Sequence, residues 1–275
     1  MASSLVVLLC ILGAATLGSA QGPGGGPCDK ANFTSCTALF ASSLGVSQSA
    51  IFSDFFLNEA LFNKFTTGKD LSDVVQLCNF ISEFYGCVTP RQLRSCMSPL
   101  GWVSQGYSPA QAYINDGTFS QWGYICGVGI SLFNDDPSLK CIRQTWANNY
   151  ATLRDNTLIP YIRNATHDPT NACTYAKNLQ DSWSNVFATG NCHAALRDPI
   201  GRFFGCATGE AYTTSEFRHC AHENNCDWEA SWTNPTSYKF ISVINGVNHL
   251  RVLPYYEQNA DGEFYLTEER YVPLA

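Results

Sequence analysis

His222-Glu223-Asn224-Asn225-Cys226 stands one residue away from the His-Glu-x-x-His helix that holds zinc and a general base in metalloproteases. The fifth position must be a second imidazole if two ligands are to share a helix face, and here it is a cysteine. His219 and His222 are three apart, but Cys220 and Cys226 as bridge halves would leave too few ligands for a closed zinc site. His167-Asp168 has the composition of a general base with its orienting carboxylate, yet Pro169 follows at once and makes Asp168 a helix cap. Gly45-Val46-Ser47-Gln48-Ser49 lacks the closing glycine of a nucleophile elbow. Gly127-Val128-Gly129 lacks the third glycine and the preceding strand of a dinucleotide loop. Glu59, Asp73, Glu83 and Asp181 are carboxylates available to a glycoside-cleaving pair, but such pairs meet only in three dimensions and the sequence selects none of them. The expectation is no catalytic residue, no cofactor and no metal.

The cysteines carry a stronger signal. Of thirteen, Cys10 falls within an apolar leader, which leaves Cys28, Cys36, Cys78, Cys87, Cys96, Cys126, Cys141, Cys173, Cys192, Cys206, Cys220 and Cys226. Leu5 to Leu17 is almost wholly apolar, too short to cross a bilayer as a helix, and followed by the small residues Gly18-Ser19-Ala20. Residues 1–20 are read as a signal peptide and 21–27 as a Gly/Pro-rich spacer. An even cysteine set behind a signal implies up to six bridges formed in an oxidising compartment, with connectivity the sequence cannot give. The localisation expected is secreted and extracellular. Asn32-Phe33-Thr34 and Asn164-Ala165-Thr166 are sequons, so Asn32 and Asn164 are candidate glycan sites, each requiring an exposed loop.

Charge narrows the partners. Only 14% of residues are charged, the net charge is −7, and no run of five like charges occurs. Nucleic acids and anionic membranes attract cationic surfaces, so neither is expected as a partner, and no later segment is long and apolar enough to span a membrane.

Four of the cysteines belong to a pattern that occurs twice. Phe84-Tyr85-Gly86-Cys87-Val88-Thr89 is followed by Leu93-Arg94-Ser95-Cys96; Phe203-Phe204-Gly205-Cys206-Ala207-Thr208 is followed by Phe217-Arg218-His219-Cys220. Cys78, Cys87 and Cys96 are nine apart, and Cys192, Cys206 and Cys220 fourteen apart. The chain is therefore divided into a first helical cysteine-rich lobe at 28–135 and a second at 136–226.

Helices position these residues. Asp70 with Asp73 three residues on is a capping pair, and Leu71, Val74, Val75, Cys78, Ile81 and Tyr85 follow at helical steps. Ile51, Phe55, Phe62 and Phe65 predict a helix before it. Asp136-Pro137, Asp168-Pro169 and Asp198-Pro199 each pair a capping residue with a proline at the first helical position, the last starting a short helix through Phe203. Residues 97–130, interrupted by six glycines, read as a long irregular loop. Its rings, Trp102, Tyr107, Tyr113, Phe119, Trp122 and Tyr124, are the candidate ligand-contact residues, suited to stacking on sugars or apolar molecules. Residues 227–275 hold no cysteine; Asn245-Gly246 and Asp261-Gly262 predict hairpins in an extended tail packed on the helical body.

The fold class expected is mainly α, with α+β character at the C-terminus: a disulfide-rich helical protein with two degenerate cysteine-containing repeats and a short β-hairpin or extended tail. The function expected is a secreted, disulfide-stabilised glycoprotein with a non-catalytic binding or extracellular-matrix role. Its partner would be an extracellular protein or a small apolar or carbohydrate ligand. A carrier of an apolar ligand such as a lipid, and a secreted hydrolase using a carboxylate pair, are the alternatives.

Overall fold

The computed structural model describes residues 27–133, 136–190, 198–222, 226, 241–252, 254, 256–259, 261 and 263–273. The leader at 1–20, nearly all of the spacer and Cys192 lie outside the described residues, as does the stretch 227–240. The chain is mainly helical and ends in small antiparallel sheets. In order, the α-helices are α1 (Lys30–Leu44), α2 (Phe56–Thr67), α3 (Leu71–Val88), α4 (Pro90–Met97), α5 (Pro99–Ser104), α6 (Pro109–Cys126), α7 (Asp136–Leu153), α8 (Ile159–His167), α9 (Ala172–Thr189) and α10 (Asp198–Thr214). A tight 3-10 turn at Arg218–His222 follows α10.

Local chemistry sets the helix starts. The Asp70 carboxylate accepts from the Ser72 backbone N–H at 2.9 Å while Asp73 reaches back to the Lys69 and Asp70 N–H groups, a reciprocal capping box on α3. Arg143 of α7 donates to the Asp70 carbonyl at 3.1 Å and lies 5.4 Å from the Phe65 ring centre, so one guanidinium ties α7 to α2 and to the start of α3. Between α7 and α8 the chain widens into a π turn at Arg154–Leu158. Pro160 lacks a backbone N–H for the regular ladder just there. Within this turn the Thr157 hydroxyl donates to the Leu153 carbonyl and accepts from Trp183 Nε1 at 2.8 Å.

The segment 97–130 is a correction to the sequence reading: it is helical, not a loop. Ser98 caps α5 by accepting from the Gly101 N–H, Ser108 caps α6 by accepting from the Gln111 N–H, and a proline follows each serine at the first helical position. Two of the glycines serve close packing instead of irregular backbone. A Cβ on Gly101 would lie 2.5 Å from the Ser95 carbonyl oxygen, and one on Gly117 would lie 2.6 Å from the Tyr212 ring. The second contact brings α6 against α10. The helix starting at Asp198 also runs to Thr214, well past the Phe203 end expected.

One apolar core passes through both halves of the chain. Trp122 of α6 stacks on Trp146 of α7 at 5.7 Å, and Phe65, Trp183, Phe187 and Phe204 surround Trp146. A second ring cluster joins Phe33, Phe40, Phe52, Phe84, Trp102 and Phe119. Bridges Cys28–Cys96, Cys36–Cys87 and Cys78–Cys126 fasten the first half; Cys173–Cys220 and Cys206–Cys226 fasten the second. Cys141 is also bridged. Each of the five bridges closes a loop of tens of residues and restricts the unfolded chain, a contribution of about 3–4 kcal/mol apiece.

The two copies of the cysteine motif occupy different helix positions. Gly86-Cys87 lies at the C-terminal end of α3, whereas Gly205-Cys206 lies at the middle of α10. Cys87 accordingly bridges to α1, and Cys206 to Cys226 beyond the end of its own helix. Cys96 bridges back to Cys28 at the start of the first half, and Cys220 to Cys173 in the first turn of α9.

In the tail, β1 (Ile241–Ile244) pairs antiparallel with β2 (Val247–Val252), and β2 with β5 (Arg270–Pro273). Asn245 and Gly246 both take positive φ, 52° and 78°, as a two-residue hairpin turn requires. β3 (Tyr256–Gln258) pairs with β4 (Phe264–Leu266), with the Asn259 side chain accepting from the Asp261 and Glu263 N–H groups in the connecting loop. None of the strand residues whose side chains are described joins the apolar core.

Candidate functional site

Three of the six ring residues singled out by sequence are core. Trp102 and Trp122 are fully buried, and Phe119 lies between Phe84 and Trp102. Tyr107, Tyr113 and Tyr124 are half-buried. Tyr107 packs edge-on against Trp102 and lines a groove of about 470 Å³ with Lys30, Gln48 and Ser49. Tyr113 packs against Phe217 at 5.8 Å, and burial with the nearby Glu210 charge raises the Tyr124 hydroxyl above its ordinary range. The six do not converge on one surface. Only Phe119 reaches the cleft described next.

That cleft, of about 620 Å³, opens between α3, α4, α6 and the turn after α10. Its apolar wall is Tyr85, Leu93, Met97 and Phe119, and its polar groups are Arg94, Ser98, Asp116, Ser120, Ser215 and Arg218. Arg94 and Arg218 are exposed, and neither makes a salt bridge among the described residues. They are the same residue of the duplicated pattern, two positions before Cys96 and Cys220. The bridges Cys28–Cys96 and Cys173–Cys220 anchor each arginine segment to its own half of the molecule. Sequence spacing alone places the two 124 residues apart; the packing of α6 on α10 brings them to one cleft.

Asp116, on the third turn of α6, is the acid of this cleft. Burial pushes its carboxyl up to about 6, against the Ser215 hydroxyl and the Arg218 charge, which favour the ionised form. The Ser215 hydroxyl also lies 3.0 Å from the Tyr212 carbonyl. Tyr85 donates to the Phe119 carbonyl at 3.4 Å, and burial, with Asp116 adding to it, lifts that phenol far above its ordinary range.

Behind the cleft stands a second carboxyl. Glu216 is only half-buried as a residue, but both its oxygens are shut from solvent and neither has a hydrogen-bond partner. Burial, with Asp116 adding to it, raises this carboxyl well above the carboxylate range and so keeps it neutral. Tyr161, whose hydroxyl is also buried and unpartnered, and Tyr212 pack ring to ring at 6.3 Å; burial first and Glu216 second hold both phenols protonated.

Three of the four carboxylates named from sequence are engaged elsewhere, and the fourth, Glu83, is exposed on α3 away from the cleft lining. Glu59 pairs with Arg154, Asp73 belongs to the α3 capping box, and Asp181 pairs with Lys177 one helical turn away. Asp168 accepts from Thr170, Asn171 and Tyr175, and these hydrogen bonds, led by that of Thr170, hold its carboxyl below the usual range. Cys173, His219 and Cys220 bring their ligand atoms within 4.8 Å of one another, but the two sulfurs are joined in a bridge and offer no thiolate. The side chain of His222 lies outside the described residues.

No protein-family profile, curated protein or solved structure matches this chain. Its function therefore rests on the residues themselves.

Neither sequon lies on a loop. Asn32 is half-buried in the first turn of α1, where its Nδ2 donates to the Cys87 carbonyl at 3.3 Å. Asn164 is half-buried within α8. Asp116, Glu216, Arg94 and Arg218 were missed as a group. The available signal was the arginine repeated at one place in both copies.

Proposed function

We propose that this chain is an exported, disulfide-fastened recognition protein that binds a small polar ligand in the Asp116 cleft and does no chemistry on it. One observation carries the reading: two arginines that make no salt bridge among the described residues and one half-buried acid line a single cleft. Paired surface charges would satisfy one another; here they are left for a ligand. Bridged cysteines in both halves support an oxidising compartment. A glycoprotein in a secretion or matrix setting is the wider context of the same proposal.

Hydrolysis by paired carboxylates has less support. Both groups of such a pair must face the scissile bond, and Glu216 has no oxygen open to solvent. A carrier of an apolar ligand has less support too, because Trp102, Phe119 and Trp122, half of the rings expected to line its pocket, are buried in the core and the six do not converge on one cavity.

Ligand-observed NMR against a library of small polar fragments tests the proposal, using the wild type and Ser120→Trp, which fills the cleft. Hits that vanish in the variant support it. No hits, hits that survive the substitution, or turnover of glycoside, ester or peptide substrates that Asp116→Asn abolishes would each overturn it.

A further inference from the structure

The cleft's polar groups are not balanced. Arg94 and Arg218 supply two guanidinium groups from opposite halves of the chain. The Ser98 hydroxyl accepts from the Gly101 N–H and keeps its own hydrogen free to donate. Set against these donors is one acid, Asp116, deeper in the cleft and in contact with Ser215. The second acid, Glu216, does not reach the opening. Such an arrangement suits an anion at the mouth and a short apolar body against Leu93, Met97 and Phe119.

Resting on the cleft reading above, we propose that the ligand is a small organic anion whose charged head is clamped between Arg94 and Arg218, and that Asp116 gates its capture, admitting the anion when protonated and repelling it when ionised. The duplicated pattern then has a use beyond its bridges: each copy contributes one arginine to the same clamp. Guanidinium groups match planar and tetrahedral oxyanions through paired N–H donors.

The groups that face Asp116 set the direction of the gate. Tyr85 from α3 and Tyr212 from α10 are neutral throughout the relevant range, held there by burial. Glu216, from the turn after α10, is neutral as well. Arg94 and Arg218 supply the guanidinium groups of the cleft. Asp116 is therefore the group whose charge changes near pH 6. Below that pH the cleft carries two positive charges and none negative; above it, one negative charge stands against the incoming anion.

Three probes of one shape and fixed charge separate the outcomes: benzenesulfonate, benzyl alcohol and benzyltrimethylammonium, titrated by calorimetry or NMR at pH 5 and pH 7.5. Benzenesulfonate is expected to bind tightest at pH 5. Its affinity should fall at pH 7.5 by at least about fivefold, and by up to about thirtyfold if binding requires the protonated acid. Asp116→Asn should hold the acidic affinity at both pH values, and Arg94→Gln and Arg218→Gln should each weaken binding roughly tenfold. Both arginines are exposed, so these variants should keep the wild-type melting temperature; an affinity loss with an unchanged melt reports the clamp. Preference for the alcohol or the ammonium would overturn the anion assignment and leave the cleft as the binding site. Equal benzenesulfonate affinity at both pH values would overturn the gate. Failure of all three probes, with library hits still displaced by Ser120→Trp, would sink the anion inference alone.

Discussion

A Cβ placed on Gly205 would stand 2.5 Å from the carbonyl oxygen of Trp183, so α10 and α9 meet there with no room for a side chain. The glycine in the other copy of the pattern, Gly86, has open space in the same direction. Closely similar local sequence therefore serves two different ends: close helix packing in one half, and an exposed position near a helix end in the other.

The substitutions should accordingly have opposite signs. Gly205→Ala must push backbone against backbone and is expected to destabilise the protein by about 2–3 kcal/mol. Gly86→Ala removes a flexible residue from a helix without a clash and should stabilise it by about 0.5–1 kcal/mol. Denaturant melts of the two variants check both. Similar effects from both would show that the two halves pack alike after all.

Asp116 gives stability a pH dependence of known direction. Its folded carboxyl titrates near 6, above the ordinary value of 3.8, so the folded chain holds the proton more tightly than the unfolded one. The stability from this group is complete below about pH 4, falls as pH rises through about 6, and is then level. Asp116→Asn should remove that slope, making the difference between variant and wild type change by about 2–3 kcal/mol between pH 4 and pH 7. Glu216→Gln should also stabilise the chain at neutral pH, since burial makes the folded chain hold this acid protonated while the unfolded chain releases the proton, and an amide carries no such penalty. Melting temperatures across this range decide the matter; a wild type and Asp116→Asn that run parallel would contradict it.

The bridge pattern can be read directly. Native protein should contain no thiol that alkylates, and digestion without reduction should yield the linked peptides of Cys28–Cys96, Cys36–Cys87, Cys78–Cys126, Cys173–Cys220 and Cys206–Cys226. Cys87→Ser leaves Cys36 unpaired and Cys206→Ser leaves Cys226 unpaired, at a cost of about 3–4 kcal/mol each, and both should lower the secreted yield. Cys87 linked to Cys206 would refute the arrangement.

The two sequons should differ in use. A glycan on Asn32 would occupy the Nδ2 that donates to the Cys87 carbonyl, beside the Cys36–Cys87 bridge. Protein that has folded should carry more glycan at Asn164 than at Asn32. Mass spectrometry of the two peptides after glycosidase treatment measures the ratio, and full occupancy at Asn32 would count against the hydrogen bond's importance.

Much of the helical layout was legible because its signals are local. The Asp70–Asp73 capping box, the Asp136-Pro137 start and the Asn245-Gly246 turn all act within a few residues. The same chemistry was present and misread in Ser98-Pro99 and Ser108-Pro109. There the glycines of 97–130 outweighed two sound helix starts, because a glycine needed for close packing looks the same in sequence as one needed for a turn. The partner that needs the space at Gly117 is Tyr212, 95 residues away.

Composition, cysteine parity and short-range capping thus determined by themselves that this is a helical, bridge-forming chain with a hairpin tail, since each of these depends on neighbours in sequence. Tertiary structure alone decided which cysteines pair, that the rings of α5 and α6 turn largely inward, and that Arg94, Asp116 and Arg218 share one cleft. Those outcomes depend on helix faces meeting across many tens of residues, and the charge on Asp116 depends on the burial that follows from that meeting.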